Sequence, residues 1–167
     1  MHLNVEIKAH CKNPDKVLAE LNKRKAKFIG EDHQVDTYFN VENGRLKLRE
    51  GNIENALIYY ERDNQAGPKN SQVHLYKCGQ DSALKDVLTA SLKIFKTVDK
   101  KRKIFFIGNV KFHLDEVKGL GRFVEIEAID ADGTIGEKVL DEQCRFYLKL
   151  FEIKKEDLIE NSYADMV

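Results

Sequence analysis

The sequence predicts an α+β protein dominated by an antiparallel sheet, arranged as a meander or a closed barrel with a few helices outside. Three observations predict it. About eight segments alternate polar and apolar residues with the period of a strand, most of them are joined by short turns, and only a few stretches carry a helical pattern.

Residues 3–10 (L-N-V-E-I-K-A-H) alternate as a strand. Asn13 followed by Pro14 is a helix start, an N-cap with proline at the first helical position, and the helix should run to about Lys25 on Val17, Leu18 and Leu21. A strand at 34–41 turns at Asn43-Gly44 into a strand at 45–50. Gly51-Asn52 turns the chain into 56–62, a loop from Asp63 to Asn70 contains Gly67-Pro68, and a strand at 72–78 follows. A second helix is expected from about Ser82 to Leu92. Strands at 94–106 and 110–117 meet at Gly108-Asn109, and Gly119 and Gly121 precede a strand at 122–129. The tail from about Gly136 reads as an amphipathic helix with Leu140, Phe146, Leu150 and Leu158 as its contacts.

The 167 residues fit one domain, 1–167, with a sizeable core. Lys plus Arg and Asp plus Glu each number 28, so the basic excess of a nucleic-acid or membrane-surface binder is missing. Cys11, Cys78 and Cys144 are odd in number and lack metal-site spacing, which reads as reduced, inert thiols in a cytoplasmic protein. No apolar run approaches the roughly 20 residues of a membrane span, and the first residues lack the apolar core of a signal peptide.

The charges themselves are sorted by strand. The first strand puts Asn4, Glu6, Lys8 and His10 on one face. Arg45, Lys47 and Arg49 share a face of the third, Lys111, His113 and Asp115 a face of a later one, and Glu125 and Glu127 a face of the last. Alternating charge on a single strand is ordinarily a solvated face. Basic and acidic sets on separate strands, each backed by an apolar face that a helix could cover, favour convergence on a shared interior. Carboxylates there suit Mg²⁺ or Mn²⁺, and Lys and Arg suit phosphate oxygens, so the residues point to a polyanion with a metal. Lys111 and His113 either assist or simply pair with a carboxylate. Tyr38 and Phe39 read as sheet packing, and His33 and His74 as ordinary surface or core residues.

N-V-E-I-K (4–8), D-T-Y-F (36–39), R-L-K-L-R (45–49), Y-Y-E-R (59–62) and F-H-L-D-E-V-K-G-L-G-R-F-V-E-I-E (112–127), with S-Y-A-D-M (162–166) at the end, resemble the CYTH family in order and spacing over nearly the whole chain. These are the triphosphate tunnel metalloenzymes, which include class IV adenylyl cyclases and thiamine triphosphatases. The resemblance implies a closed eight-stranded antiparallel β-barrel, a triphosphate tunnel open to solvent at its ends with helices outside. It implies Glu6, Glu125 and Glu127 as metal ligands with Asp115 in the metal shell, and Mg²⁺ or Mn²⁺ as the ion. It also implies Lys8, Lys47, Arg49, Arg62 and Arg102 as triphosphate contacts, Lys8 and Asp115 being nearest the chemistry. One departure stands out: the first glutamate of the family's E-x-E-x-K motif is Asn4, whose amide oxygen can ligate a hard cation but brings no charge. The activity implied is metal-dependent hydrolysis of a small-molecule triphosphate by a monomer or homodimer. Cyclisation of ATP to cyclic AMP and pyrophosphate, or binding without turnover, are the alternatives.

Overall fold

The computed structural model describes residues 1–80 and 82–167. The chain runs through β1 (His2–His10), α1 (Pro14–Lys23), β2 (Lys27–Phe39), β3 (Arg45–Glu50), β4 (Ala56–Arg62), β5 (Lys69–Lys77), α2 (Ser82–Leu92), β6 (Ile94–Ile107), β7 (Val110–Val117), β8 (Gly121–Asp130), α3 (Glu137–Leu150), a 3₁₀ turn (Lys155–Asp157) and α4 (Tyr163–Met166). The strands close into a barrel in the order β1-β5-β4-β3-β2-β6-β7-β8, every neighbouring pair antiparallel. The expected eight-stranded closed barrel is therefore the fold. Closure removes the two sheet edges that an open meander would expose.

Local chemistry sets most boundaries. The Asn13 side chain accepts a hydrogen bond from Lys16 N at 3.2 Å, Pro14 opens α1, and Lys25 turns left-handed just beyond it at φ 56°. The hairpin glycine Gly44 has φ 67°, and a Cβ there would stand 2.8 Å from the Tyr59 ring, so only glycine makes that turn.

Three boundaries and one core contact differ from the sequence reading. β2 begins at Lys27, well ahead of 34, because it pairs with β6 from Lys27↔Phe106 onward, across a bulge between Phe28 and Gly30. β5 takes in Lys69 and Asn70 from the expected loop because they pair with Glu6 and Val5. The tail is not one helix: α3 stops at Leu150, and Leu158 instead bridges to Ala9 as extended chain. Phe146, expected as a core contact, is 51% exposed.

The largest apolar core lies outside the barrel wall. Val5, Ile7, Ala9, Phe112, Leu114, Val124, Ile126 and Ala128 point outward from β1, β7 and β8 and are covered by Val17 and Leu21 of α1 and Leu140 and Cys144 of α3. Because side chains alternate along a strand, covering that face turns the polar face inward. The described helices include none long and apolar enough to cross a membrane.

Two truncations on α3 test this arrangement. Leu140→Ala, at a fully buried position, should lower unfolding free energy by about 2–5 kcal/mol in chemical denaturation, and Phe146→Ala by less than about 1 kcal/mol.

Candidate functional site

The inward faces of all eight strands border one cavity of about 720 Å³. Eight Lys and Arg side chains line it against five Asp and Glu, an excess of positive charge in a protein whose overall charge is zero. Every phosphate-binding residue expected from the sequence, Lys8, Lys47, Arg49, Arg62 and Arg102, is in this wall, as are Glu6, Glu125 and Glu127.

Asp36 organises the basic side. Arg49, its partner across the β2–β3 register, grips it with Nε and Nη2 at 2.9 and 2.8 Å. Lys100 Nζ donates at 2.8 Å, and Lys47 Nζ lies 3.2 Å away. Burial pushes the Asp36 carboxyl up, but Arg49 and Lys100 outweigh it and hold it well below the usual range. Lys100 itself, 2% exposed among other cations, is pushed down by burial to about 7 despite Asp36. Sequence reading missed both residues. Asp36 sits in a quoted motif, but its face and neighbours are settled only by the barrel.

The acidic side spans the β1–β8 seam, where Glu6 pairs in register with Glu127 and Lys8 with Glu125. Glu6 is bonded to Arg62. Glu125 receives Arg102 Nη2 at 3.2 Å and His113 Nδ1 at 2.9 Å, with Lys8 Nζ at 3.6 Å. Burial pulls Lys8 down to about 8, with Glu125 opposing. His113, 2% exposed, is driven by burial down to about 4; it is neutral at pH 7, donates its Nδ1–H to Glu125, and its Nε2 has no partner among the described residues.

Asp115 is 3% exposed and engaged by two side chains. Its two oxygens accept Arg102 Nε and Nη2 at 2.7 and 2.6 Å, and Tyr163 OH at 2.7 Å. With these bonds made, Asp115, on the inward face of β7, fixes Arg102 and the C-terminal Tyr163.

Glu127 supplies the test of the implied divalent ion. It forms no hydrogen bond or ion pair among the described residues, and burial raises it to about 7, with Lys111 opposing and Glu6 and Glu125 adding to the rise. A carboxylate crowded by two others and lacking a partner has the chemistry of a hard-cation ligand, so the oxygens of Glu6, Glu125 and Glu127 fit Mg²⁺ or Mn²⁺. Among the described residues no three His, Cys, Asp or Glu are gathered into a metal cluster, since Arg62 draws Glu6 away and Arg102 and His113 hold Glu125.

Two features at the ends of the barrel escaped sequence reading. At one end Tyr38, Val98, Val117 and Phe123 point inward and pack with Ile159, Tyr163 and Ala164 of the C-terminal segment. The expected opening at this end is thus occupied by an apolar cluster, and Tyr38 combines sheet packing with a place in the cavity wall. At the other end Glu54, on the β3–β4 loop, reaches Lys111 at 2.5 Å, Gln34 at 3.0 Å and Arg49 at 3.5 Å. The fully buried Asp32 carboxylate fixes that loop by accepting Ile53 N and Glu54 N, each at 2.9 Å. A Cβ on Gly51 would come within 2.7 Å of Asp32.

Removing the common acceptor of three cations should be costly. Asp36→Asn is expected to lose about 3–5 kcal/mol of stability in chemical denaturation at pH 7, because Arg49, Lys100 and Lys47 are left as close like charges.

The comparisons with known proteins agree with this geometry. A Methanocaldococcus jannaschii protein named "Putative adenylate cyclase" is 28% identical over 181 aligned residues, covering 98% of each chain. A conserved hypothetical protein from Pyrococcus furiosus superposes with a TM-score of 0.82 at 25% identity, covering 98% of this chain and 99% of its own. A Pyrococcus horikoshii protein shares the fold with a TM-score of 0.79 at 22% identity, covering 100% and 99%. With residues 2–163 matching the CYTH domain and its barrel and charged interior in place, the chain belongs to the CYTH family.

Proposed function

We propose that the protein hydrolyses a triphosphate in a divalent-metal-dependent reaction inside the barrel, releasing orthophosphate from the terminal position. The observation that carries this reading is the single cavity in which eight cationic side chains face five carboxylates. That surplus matches a polyanion, and Glu6, Glu125 and Glu127, which meet along the β1–β8 seam, have the oxygen donors that a hard cation takes.

When bound, Mg²⁺ or Mn²⁺ supplies charge neutralisation at the phosphate oxygens and at the leaving group. Lys47, Arg49, Arg62 and Arg102 bind and orient the phosphates, and the bidentate Asp36–Arg49 and Asp115–Arg102 pairs fix the two guanidiniums beforehand. In the reaction a water oxygen forms a bond to the terminal phosphorus as the bridging P–O bond breaks, and the leaving diphosphate keeps the electron pair. The water proton needs an acceptor. Lys8, held near 8 by burial, is a cavity group that can accept it in its neutral form.

A second reading, cyclisation of ATP by attack of the ribose 3′-hydroxyl on the α-phosphorus, is favoured by the name of the Methanocaldococcus jannaschii relative. It uses the same cradle with a different phosphorus in place. The two are separated by incubating the purified protein with tripolyphosphate, thiamine triphosphate and ATP, each with Mg²⁺ or Mn²⁺, and resolving the products. Orthophosphate is the expected product; cyclic AMP with pyrophosphate would establish the cyclase instead, and no product from any substrate would sink both.

Two further outcomes follow from the charges. Lys47→Ala and Arg62→Ala should each weaken tripolyphosphate binding by roughly 10–100-fold in titration calorimetry, the loss of one charge-assisted contact. The pH dependence comes from Lys100, whose protonated form an adjacent phosphate favours. Binding therefore takes up a proton above about pH 7, and affinity contributed by Lys100 declines as pH rises from there toward the ordinary lysine value of 10.5. The ratio of wild-type to Lys100→Arg affinity for tripolyphosphate should fall between pH 6.5 and 9, which cancels the ligand's own ionisation.

A further inference from the structure

The outer side of α3 carries apolar side chains where a helix packed on a barrel ordinarily shows polar ones. Val139 and Phe146, two turns apart and so on one face, are 42% and 51% exposed. Both line a cleft of about 460 Å³ between α3 and the turn joining β6 to β7, with Ile107 and Val110 on the far wall. Asn109 of the turn and Gln143 of α3 exchange side-chain hydrogen bonds at 2.9 and 2.8 Å, which fixes the cleft in one shape. A contiguous apolar patch of this kind marks an interaction surface.

Charge identifies what covers it. The first half of the helix, residues 137–142, has three acids, Glu137, Asp141 and Glu142, against one base, Lys138. The second half, residues 143–150, has Arg145 and Lys149 and no acid. Arg24, at the end of α1, adds its guanidinium 5.1 Å from the Phe146 ring. Asp141 and Arg145 pair within the helix at 2.7 Å, and Glu137, Glu142 and Lys149 are exposed. The surface is therefore negative at one end, apolar along its stripe and positive at the other. A surface in that order is its own complement when turned end for end, whereas a uniformly acidic or basic partner would match one half and oppose the other.

We propose that this face of α3 is the interface of a symmetric homodimer, in which the two α3 helices pack antiparallel through Val139 and Phe146. A two-fold axis beside residues 142 and 143 sets Phe146 of each copy against Val139 of the other. It also brings Lys149 of each copy to the Glu137 end of the other, and opposes the two helix dipoles favourably. The 14 residues of α3 span about 21 Å, so the contact is small and the dimer reversible, with a dissociation constant on the order of 10–100 μM. No α3 residue is in the wall of the charged cavity, so this interface stands apart from the triphosphate reading.

The test is sedimentation velocity of the full chain from roughly 1 to 500 μM, which should show a monomer giving way to a dimer. Phe146→Ser should raise the dissociation constant about tenfold or more, by removing the central apolar contact. Lys149→Glu should raise it as well, and the double variant Lys149→Glu, Glu137→Lys should recover most of the loss because each new charge meets its opposite on the second copy. At low concentration all three variants should melt with the wild type, which separates weakened association from unfolding. A wild type that stays monomeric throughout overturns the proposal and leaves the patch to a different partner. A dimer that Phe146→Ser does not weaken has its interface elsewhere. A charge swap that recovers nothing rules out the antiparallel arrangement.

Discussion

Everything in this protein depends on keeping many charges inside a protein wall with nearly all of them paired. Removing an unpaired ion from water costs several kcal/mol, so a barrel lined by Lys, Arg, Asp and Glu is stable only if those groups compensate one another. The pairings show how this is met. Asp36 answers Arg49, Lys100 and Lys47; Asp115 answers Arg102; Glu125 answers Arg102, His113 and Lys8; Glu6 answers Arg62. Compensation is incomplete by design of the count, because cations outnumber acids in the cavity wall. Lys8 and Lys100, shifted toward neutral pH, carry that imbalance, and Glu127, raised by burial, has no ion pair among the described residues. In the proposed reaction a polyanion and its cation would relieve both at once.

The core is displaced to make this possible. A barrel of this size ordinarily fills its interior with apolar side chains, and this one moves much of its apolar packing to the outside of β1, β7 and β8 beneath α1 and α3. The helices therefore do more than cover the surface. By drawing the Val5, Ile7 and Ala9 face outward they oblige Asn4, Glu6 and Lys8 to point in, since neighbouring residues on a strand cannot share a face. Among the described residues apolar packing returns to the interior at the C-terminal end, around Phe123 and Tyr163, and at the opposite end, around Ile58 and Val73. The charged segment is confined between them.

Asp115 and Asp36 illustrate a division of labour within the wall. Each binds an arginine through two hydrogen bonds, and such forks hold a guanidinium in one plane before any ligand arrives. Tyr163 extends this to the end of the chain by bonding Asp115 while its ring lies 3.9 Å from Lys8 Nζ. The C-terminal segment is thereby coupled to the phosphate cradle, and Asp32 does the same for the β3–β4 loop that carries Glu54.

Much of this was legible in the sequence. Period-2 alternation in β1, β3, β7 and β8, the Asn13-Pro14 helix start and the Asn43-Gly44 turn are short-range signals, and motif order identified the family and the charged residues of the wall. What sequence could not supply was partnership. That Asp36 is the acceptor for three cations, that Asp115 is committed to Arg102 and Tyr163, and that Glu54 reaches back to Lys111 depend on register between strands far apart in the chain. β2 and β5 were misjudged at their starts for the same reason, because pairing with β6 and β1 extended them where local pattern was weak. The sequence by itself determined which residues alternate and what charge each strand carries. Only the tertiary structure decided which face is inside and which charges are paired, because those follow from barrel closure and helix packing rather than from any local propensity.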